Sequence, residues 1–166
     1  MSTRLSLVLG LAAALATTAC KKKADGAAGG GDNGGTAAIK IPQLKLQVDT
    51  TSDSTVSDMS MGGAPSYMVR GSETLFTVGE VDDSAPKTLD EAVEAAKIYD
   101  GVQVTKQDKT ADGWNLQFHN KGSMGDNYFV DIRRQVGGRA VTCTTTASTP
   151  EQAAKAAAAC MTVRPL

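Results

Sequence analysis

Residues 114–119 read Trp-Asn-Leu-Gln-Phe-His, with large apolar side chains alternating one for one with polar ones. A period of two marks a strand with one buried face and one wet face. The same period recurs on either side. Tyr128, Val130 and Ile132 alternate with Phe129, Asp131 and Arg133, and Val141 shares a face with Cys143. Val102 and Val104 open the preceding strand, and Ala111-Asp112-Gly113 turns it into residues 114–118. A Gly-containing loop at residues 121–126 and the pair Gly137-Gly138 supply the later turns. These residues predict an antiparallel meander.

Further upstream, residues 67–70 and 74–81 read as two strands, with Gly71-Ser72 as a hairpin turn between them. Ile39 and Ile41 alternate with Lys40, and Leu44, Leu46 and Val48 with Lys45 and Gln47. Pro42 interrupts that run and points to an edge or a bulge. The polar stretch 50–64 leaves room for one short strand near Val56.

Two helices carry capping signals. Thr88 and Glu91 stand in a capping box, followed by an apolar stripe of Leu89, Ala92, Val93 and Ala96 and by Gly101 as terminator. Thr149, Pro150 and Gln152 repeat the signal ahead of an Ala-rich run that ends at Cys160. Residues 161–163 add a short final strand in this reading. Antiparallel strands with segregated helices define the class as α+β, an antiparallel β-sheet flanked by two main helices. That element order over residues 39–166 resembles the PsbP-like family. The resemblance implies a binding or assembly role and identifies no functional residue.

The chain opens with a different kind of sequence. One positive charge at Arg4 precedes an uninterrupted run of apolar and small residues over 5–16. Small residues then lead to Cys20, the order of a secretory signal peptide. The run is short of the ~20 residues that span a bilayer. Thr17-Thr18-Ala19-Cys20 resembles the lipobox of bacterial lipoproteins, where lipid (palmitate among its acyl chains) is attached to Cys and the chain is cut before it. Thr17 stands where that pattern usually carries Leu or another larger aliphatic residue. The resemblance implies a signal peptide over 1–19, lipidation of Cys20 and a place in the cell envelope outside the cytoplasm. With Lys21 after the Cys, it favours the outer membrane where an envelope has two. Ordinary cleavage after Ala19, releasing a soluble protein, is the competing reading.

Residues 20–38 form the predicted tether. Residues 24–38 are rich in Gly and Ala and hold no large apolar side chain to offset the entropy of ordering. Lys21, Lys22 and Lys23 sit either beside anionic headgroups or simply in solvent. The single globular domain is then 39–166. Three cysteines are present, an odd number for an exported protein. With Cys20 carrying lipid, Cys143 and Cys160 remain for a disulfide, which an oxidising compartment favours. Two buried thiols are the alternative.

Apolar residues make up 41 % of the 166 and aromatics only 4 %, so the predicted core draws on Val, Leu, Ile, Ala and Met. A net charge of -1 lacks the basic footprint of nucleic-acid binding. Neither a G-x-S-x-G motif nor a phosphate-binding loop appears, and no cofactor is implied. Asp49, Asp53 and Asp58 are too widely spaced for a calcium-binding EF-hand loop. His119, the one histidine, is predicted to face solvent opposite Trp114. Met59, Met61 and Met68 offer soft thioether sulfurs that suit Cu(I), although methionines also fill gaps in cores. Arg133, Arg134 and Arg139 cluster around a hairpin, either solvated or as an anion or acidic-partner site. The function expected is non-enzymatic: a membrane-anchored binding or assembly module for an envelope protein or cell-wall component. Periplasmic Cu(I) binding is the first alternative. A hydrolase using Asp or Glu side chains is the second.

Overall fold

The computed structural model describes residues 35–123 and 125–166. The predicted signal peptide, Cys20 and tether residues 20–34 lie outside the described residues.

In chain order the elements are β1 (Thr36–Ile41), β2 (Leu46–Thr51), β3 (Thr55–Asp58), β4 (Ser66–Arg70), β5 (Leu75–Glu80), α1 (Leu89–Ala96), β6 (Gln103–Thr110), β7 (Gly113–Gly122), β8 (Gly125–Val136), β9 (Arg139–Ala147), α2 (Pro150–Met161) and β10 (Arg164–Pro165). Strand pairing is antiparallel throughout. Seven strands form the main sheet in the order β3-β4-β5-β9-β8-β7-β6, two meanders joined where β5 meets β9. A small sheet, β1-β2-β10, stands apart from it. The architecture is α+β, dominated by antiparallel sheet.

The ordered chain starts earlier than expected. Thr36, Ala37 and Ala38, assigned above to the tether, pair with Thr51, Thr50 and Asp49 in the β1–β2 ladder. Backbone hydrogen bonding to a partner strand orders this small-residue segment where side-chain burial cannot. Pro42 marks neither an edge nor a bulge. It opens a 3-10 turn over Pro42–Leu44, where its missing N–H costs nothing, and Lys45 ends the turn in the left-handed region at φ 52. The final strand is displaced too. Met161 still belongs to α2, and β10 occupies Arg164–Pro165.

Both helices begin at the predicted caps. Thr88 Oγ1 accepts from the Glu91 N–H at 3.2 Å, and Thr149 Oγ1 accepts from the Gln152 N–H at 3.2 Å. The Glu91 carboxylate reaches back to the Lys87 N–H, one residue before the cap. α1 ends at Ala96, well before Gly101. The Gly137-Gly138 turn has φ 60 and 80, the two positive values that a tight hairpin turn of the primed type requires. Gly113 is required for space: a Cβ there would collide with the Arg133 carbonyl across the ladder.

The β7–β8 register decides the layering. Leu116 stands opposite Asp131, and Asn115 opposite Ile132. The apolar rows of these neighbouring strands therefore point to opposite sides of one sheet, and the domain has two cores. On one side α2 packs on β8, β9 and β5, and its other contacts reach β2 of the small sheet. Val78, Ile132, Cys143 and Cys160 lie buried there. On the other side α1 packs on β7 and β6, with Ala92, Ala96, Trp114, Leu116 and Phe118 buried. Phe129, grouped above with the polar row of its strand, joins this second core. Asn115, expected on a wet face, is buried and accepts a hydrogen bond from Gln117 Nε2.

Cys143 and Cys160 form a disulfide with a Cα–Cα distance of 5.7 Å, tying α2 to β9. Among the described residues methionine takes no part in either core. The small side chains of Ala153, Ala156, Ala157 and Ala159 let α2 lie close to the sheet instead.

Candidate functional site

α1 covers only the β6–β7 end of its side of the main sheet. Beyond it, β8, β9, β5 and β4 present an open face in regular rows. The middle row runs Leu116, Asp131, Thr144, Thr77 and Met68, each opposite the next across the ladders. One row over stand Trp114, Arg133, Thr142, Gly79 and Ser66. On the other flank Phe118 faces Phe129, and Phe129 faces Thr146.

A groove of about 530 Å³ runs along this face between α1 and the threonine column of β9. Its lining is mixed. Tyr99, Phe118 and Phe129 supply an aromatic cluster, with Phe118 and Phe129 stacked at 4.7 Å and Tyr99 centred 4.7 Å from Phe129. Leu75 and Ile98 stand on its rim, 41 % and 79 % exposed. Asp131 is the one charged residue of the lining. A volume of this size suits a drug-sized ligand, and such sites combine apolar walls with few polar groups. Asp131 also borders a smaller cavity of about 160 Å³ shared with Trp114, Arg133 and Thr142.

The electrostatics centre on Asp131. Burial pushes its carboxyl above the ordinary carboxylate range, against the opposing influence of the Trp114 indole and the Arg133 charge. Among the described residues the carboxylate forms no ion pair. The Trp114 indole N–H, buried beside it, is the one side-chain donor that favours its ionised form, though it falls short of full hydrogen-bond geometry. Arg133 is engaged elsewhere: its guanidinium donates to the Pro86 carbonyl and lies 5.2 Å from the Trp114 ring centre. The other carboxylates of the smaller cavity are satisfied, Glu80 by Arg139 and Asp82 by Ser84 and the Ala85 N–H.

The remaining predicted site residues are dispersed. Met59 and Met61 follow β3 in a loop and are 42 % and 95 % exposed, so they neither share a strand face nor fill the core. Met68 lines the groove from β4. His119 is half-buried and stacks on Tyr128 at 5.7 Å, on the sheet side opposite the groove. The arginines clamp the fold. Arg134 binds Asp112 at 2.8 Å and the carbonyls of Met161 and Val163 at the end of α2. Arg139 joins Glu80 to the Leu44 carbonyl. Asp49 forms a two-pronged pair with Arg164, 2.8 Å on each oxygen. Asp53 and Asp58 accept from the Ser72 and Ser60 N–H groups. No cluster of three His, Cys, Asp or Glu side chains suited to a metal occurs among the described residues.

One S-x-x-K spacing, Ser84-Ala85-Pro86-Lys87, is present in the β5–α1 connection. Its nucleophile chemistry needs Ser and Lys a helical turn apart. Here the segment is not helical, and Ser84 Oγ donates to Asp82 at 2.6 Å. Asp131, by contrast, is the site residue that sequence reading passes over. Its only signal was its place in a strand's non-core row, which most exposed carboxylates share.

No protein-family model matches the chain, and no curated protein matches it. Among the described residues no helix is long and apolar enough to cross a membrane.

Proposed function

We propose that this protein is a membrane-anchored bacterial envelope lipoprotein whose α+β domain is a non-enzymatic binding or assembly module. The observation that carries the binding role is the open groove beside α1, with aromatic walls and a single carboxylate that has no ion-pair partner among the described residues. An envelope protein or a cell-wall component is the partner class. The anchor reading is supported by the order of charged start, apolar run and small residues before Cys20. Cysteine use supports it as well: Cys143 and Cys160 pair with each other, leaving Cys20 as the odd thiol. Lys21 favours the outer membrane in an envelope with two.

Mass spectrometry of the membrane-fraction protein tests the anchor. The expected mature N-terminus is an acylated Cys20, and an unmodified N-terminus in the soluble fraction would overturn it. Photo-crosslinking in intact envelopes tests the module. A crosslinker at position 144 in the groove should give a discrete adduct, whereas one at position 106 on the far edge should not. Equal or absent labelling at both positions would refute a groove-centred binding role.

A second reading, Cu(I) binding by Met59, Met61 and Met68, is favoured by one observation: the first two thioethers are exposed on a loop, where they serve no packing role. Submicromolar binding of reduced copper that disappears in Met59→Leu/Met61→Leu would support it, and no binding would exclude it.

A further inference from the structure

We infer that the groove over β8, β9 and β5 binds an amphiphilic organic ammonium ion, with the Asp131 carboxylate as counter-charge and Phe129 and Tyr99 as the seat of its apolar body. This rests on the reading of the domain as a binding module and names the ligand class of that site.

The charge argument comes first. An ionised carboxylate only accepts hydrogen bonds, and holding its charge partly buried without an ion-pair partner is costly. Among the described residues the Trp114 indole N–H is the one side-chain donor beside Asp131, and no cation forms an ion pair with it. Arg133 stands two residues along β8 on the same side of the sheet, but it is already bound to the Pro86 carbonyl and lies over Trp114. It tempers the local field and leaves the carboxylate's acceptor positions open. Thr144, directly opposite Asp131 on β9, places a hydroxyl beside the same position. An incoming ammonium group supplies the paired positive charge that the neutral indole does not. An anion would meet the carboxylate, and a neutral apolar ligand would bury it further without compensation.

The shape argument is independent of charge. Phe129 is two residues from Asp131 on the same side of β8, a separation of ~7 Å from the strand rise. Phe129 stacks on Phe118 and touches Tyr99, giving an aromatic wall at that distance. Aromatic faces attract ammonium groups as well as apolar bodies. The groove therefore reads a cationic head and a compact apolar or aromatic tail separated by a few bonds.

The test uses three probes with one body and different heads: 4-phenylbutylamine, 4-phenylbutan-1-ol and 4-phenylbutyrate. The protein is the exported full-length chain carrying Cys20→Ser, so that no lipid anchor demands detergent. Trp114 is the only tryptophan and lies beside Asp131, so its emission reports occupancy. The amine should bind saturably and at least about tenfold more tightly than the alcohol, as a charge-assisted hydrogen bond warrants. Asp131→Asn should abolish that preference while melting no lower than the parent. Thr144→Lys, which places an ammonium group of the chain itself opposite the carboxylate, should block the amine. Equal binding of amine and alcohol, or an unchanged preference in Asp131→Asn, would overturn the ammonium assignment and leave the binding module standing. Failure of all three probes would also overturn it. The module itself is judged separately by the position-specific crosslink.

Discussion

Removing the Cys143–Cys160 bridge is the perturbation whose size follows most directly from the structure. The two cysteines are 17 residues apart in sequence. Closing a loop of that length restricts the unfolded chain by about 3 kcal/mol in the chain-entropy treatment. Cys143 and Cys160 are 2 % and 0 % exposed, so replacement by Ser would add the separate cost of burying hydroxyls. Replacement by Ala keeps the comparison clean, with only a small loss of packing. For a domain of this size, about 3 kcal/mol corresponds to a fall in Tm of ~10 °C. The assay is differential scanning calorimetry of the parent and of Cys143→Ala/Cys160→Ala, each with and without a thiol reductant. The parent should fall by that amount on reduction, and the double variant should start low and ignore the reductant. A Tm that moves by less than about 2 °C in both comparisons would refute the reasoning, because chain entropy alone assigns this loop about 3 kcal/mol.

Three further outcomes are expected. Thr88→Ala and Thr149→Ala each remove the side-chain acceptor at a helix start and should cost about 1 kcal/mol in urea denaturation, against little change for Gln107→Ala on the exposed edge strand. Leu116→Ala empties a fully buried position beneath α1 and should cost about 2–5 kcal/mol; a loss under about 1 kcal/mol would mean that the α1 layer is not a true core. The carboxylates should act on stability in opposite senses with pH. Asp49 and Asp112 have lowered pKa values: Asp49 chiefly through its hydrogen bond with Arg164, and Asp112 because Arg134 and Thr110 outweigh its burial. Their contribution is present above the unfolded carboxylate pKa and is lost as pH falls through the folded values. Asp131 is raised by burial, so its ionisation works against the fold as pH climbs through its elevated pKa. Asp131→Asn should therefore gain stability relative to the parent at neutral pH and lose that gain in acid. A constant difference across the pH range would show that its ionisation is not the cause.

Much of the local structure was legible in the residues themselves. A strand of alternating character needs only its own side chains to declare its period, and residues 114–118 did so without help. The two threonine caps are likewise local, since each binds an N–H three residues away. The pairing of Cys143 with Cys160 followed from counting cysteines once Cys20 was set aside for lipid. The proposal of a signal peptide and a lipid anchor rests on the sequence alone.

Tertiary contacts decided which side of the sheet each alternating row serves. A period of two divides a strand into two rows but does not say what lies over either one. That depends on register and on elements distant in the chain. Because Leu116 faces Asp131 rather than Ile132, one apolar row lies under α1 and its neighbour under α2. The same register takes Phe129 out of a nominally polar row and buries Asn115. It also leaves Asp131 on the stretch of sheet that α1 is too short to cover. The carboxylate's place in the groove, its lack of an ion-pair partner and its distance from the aromatic wall all follow from that offset between β7 and β8, which no short window of sequence contains.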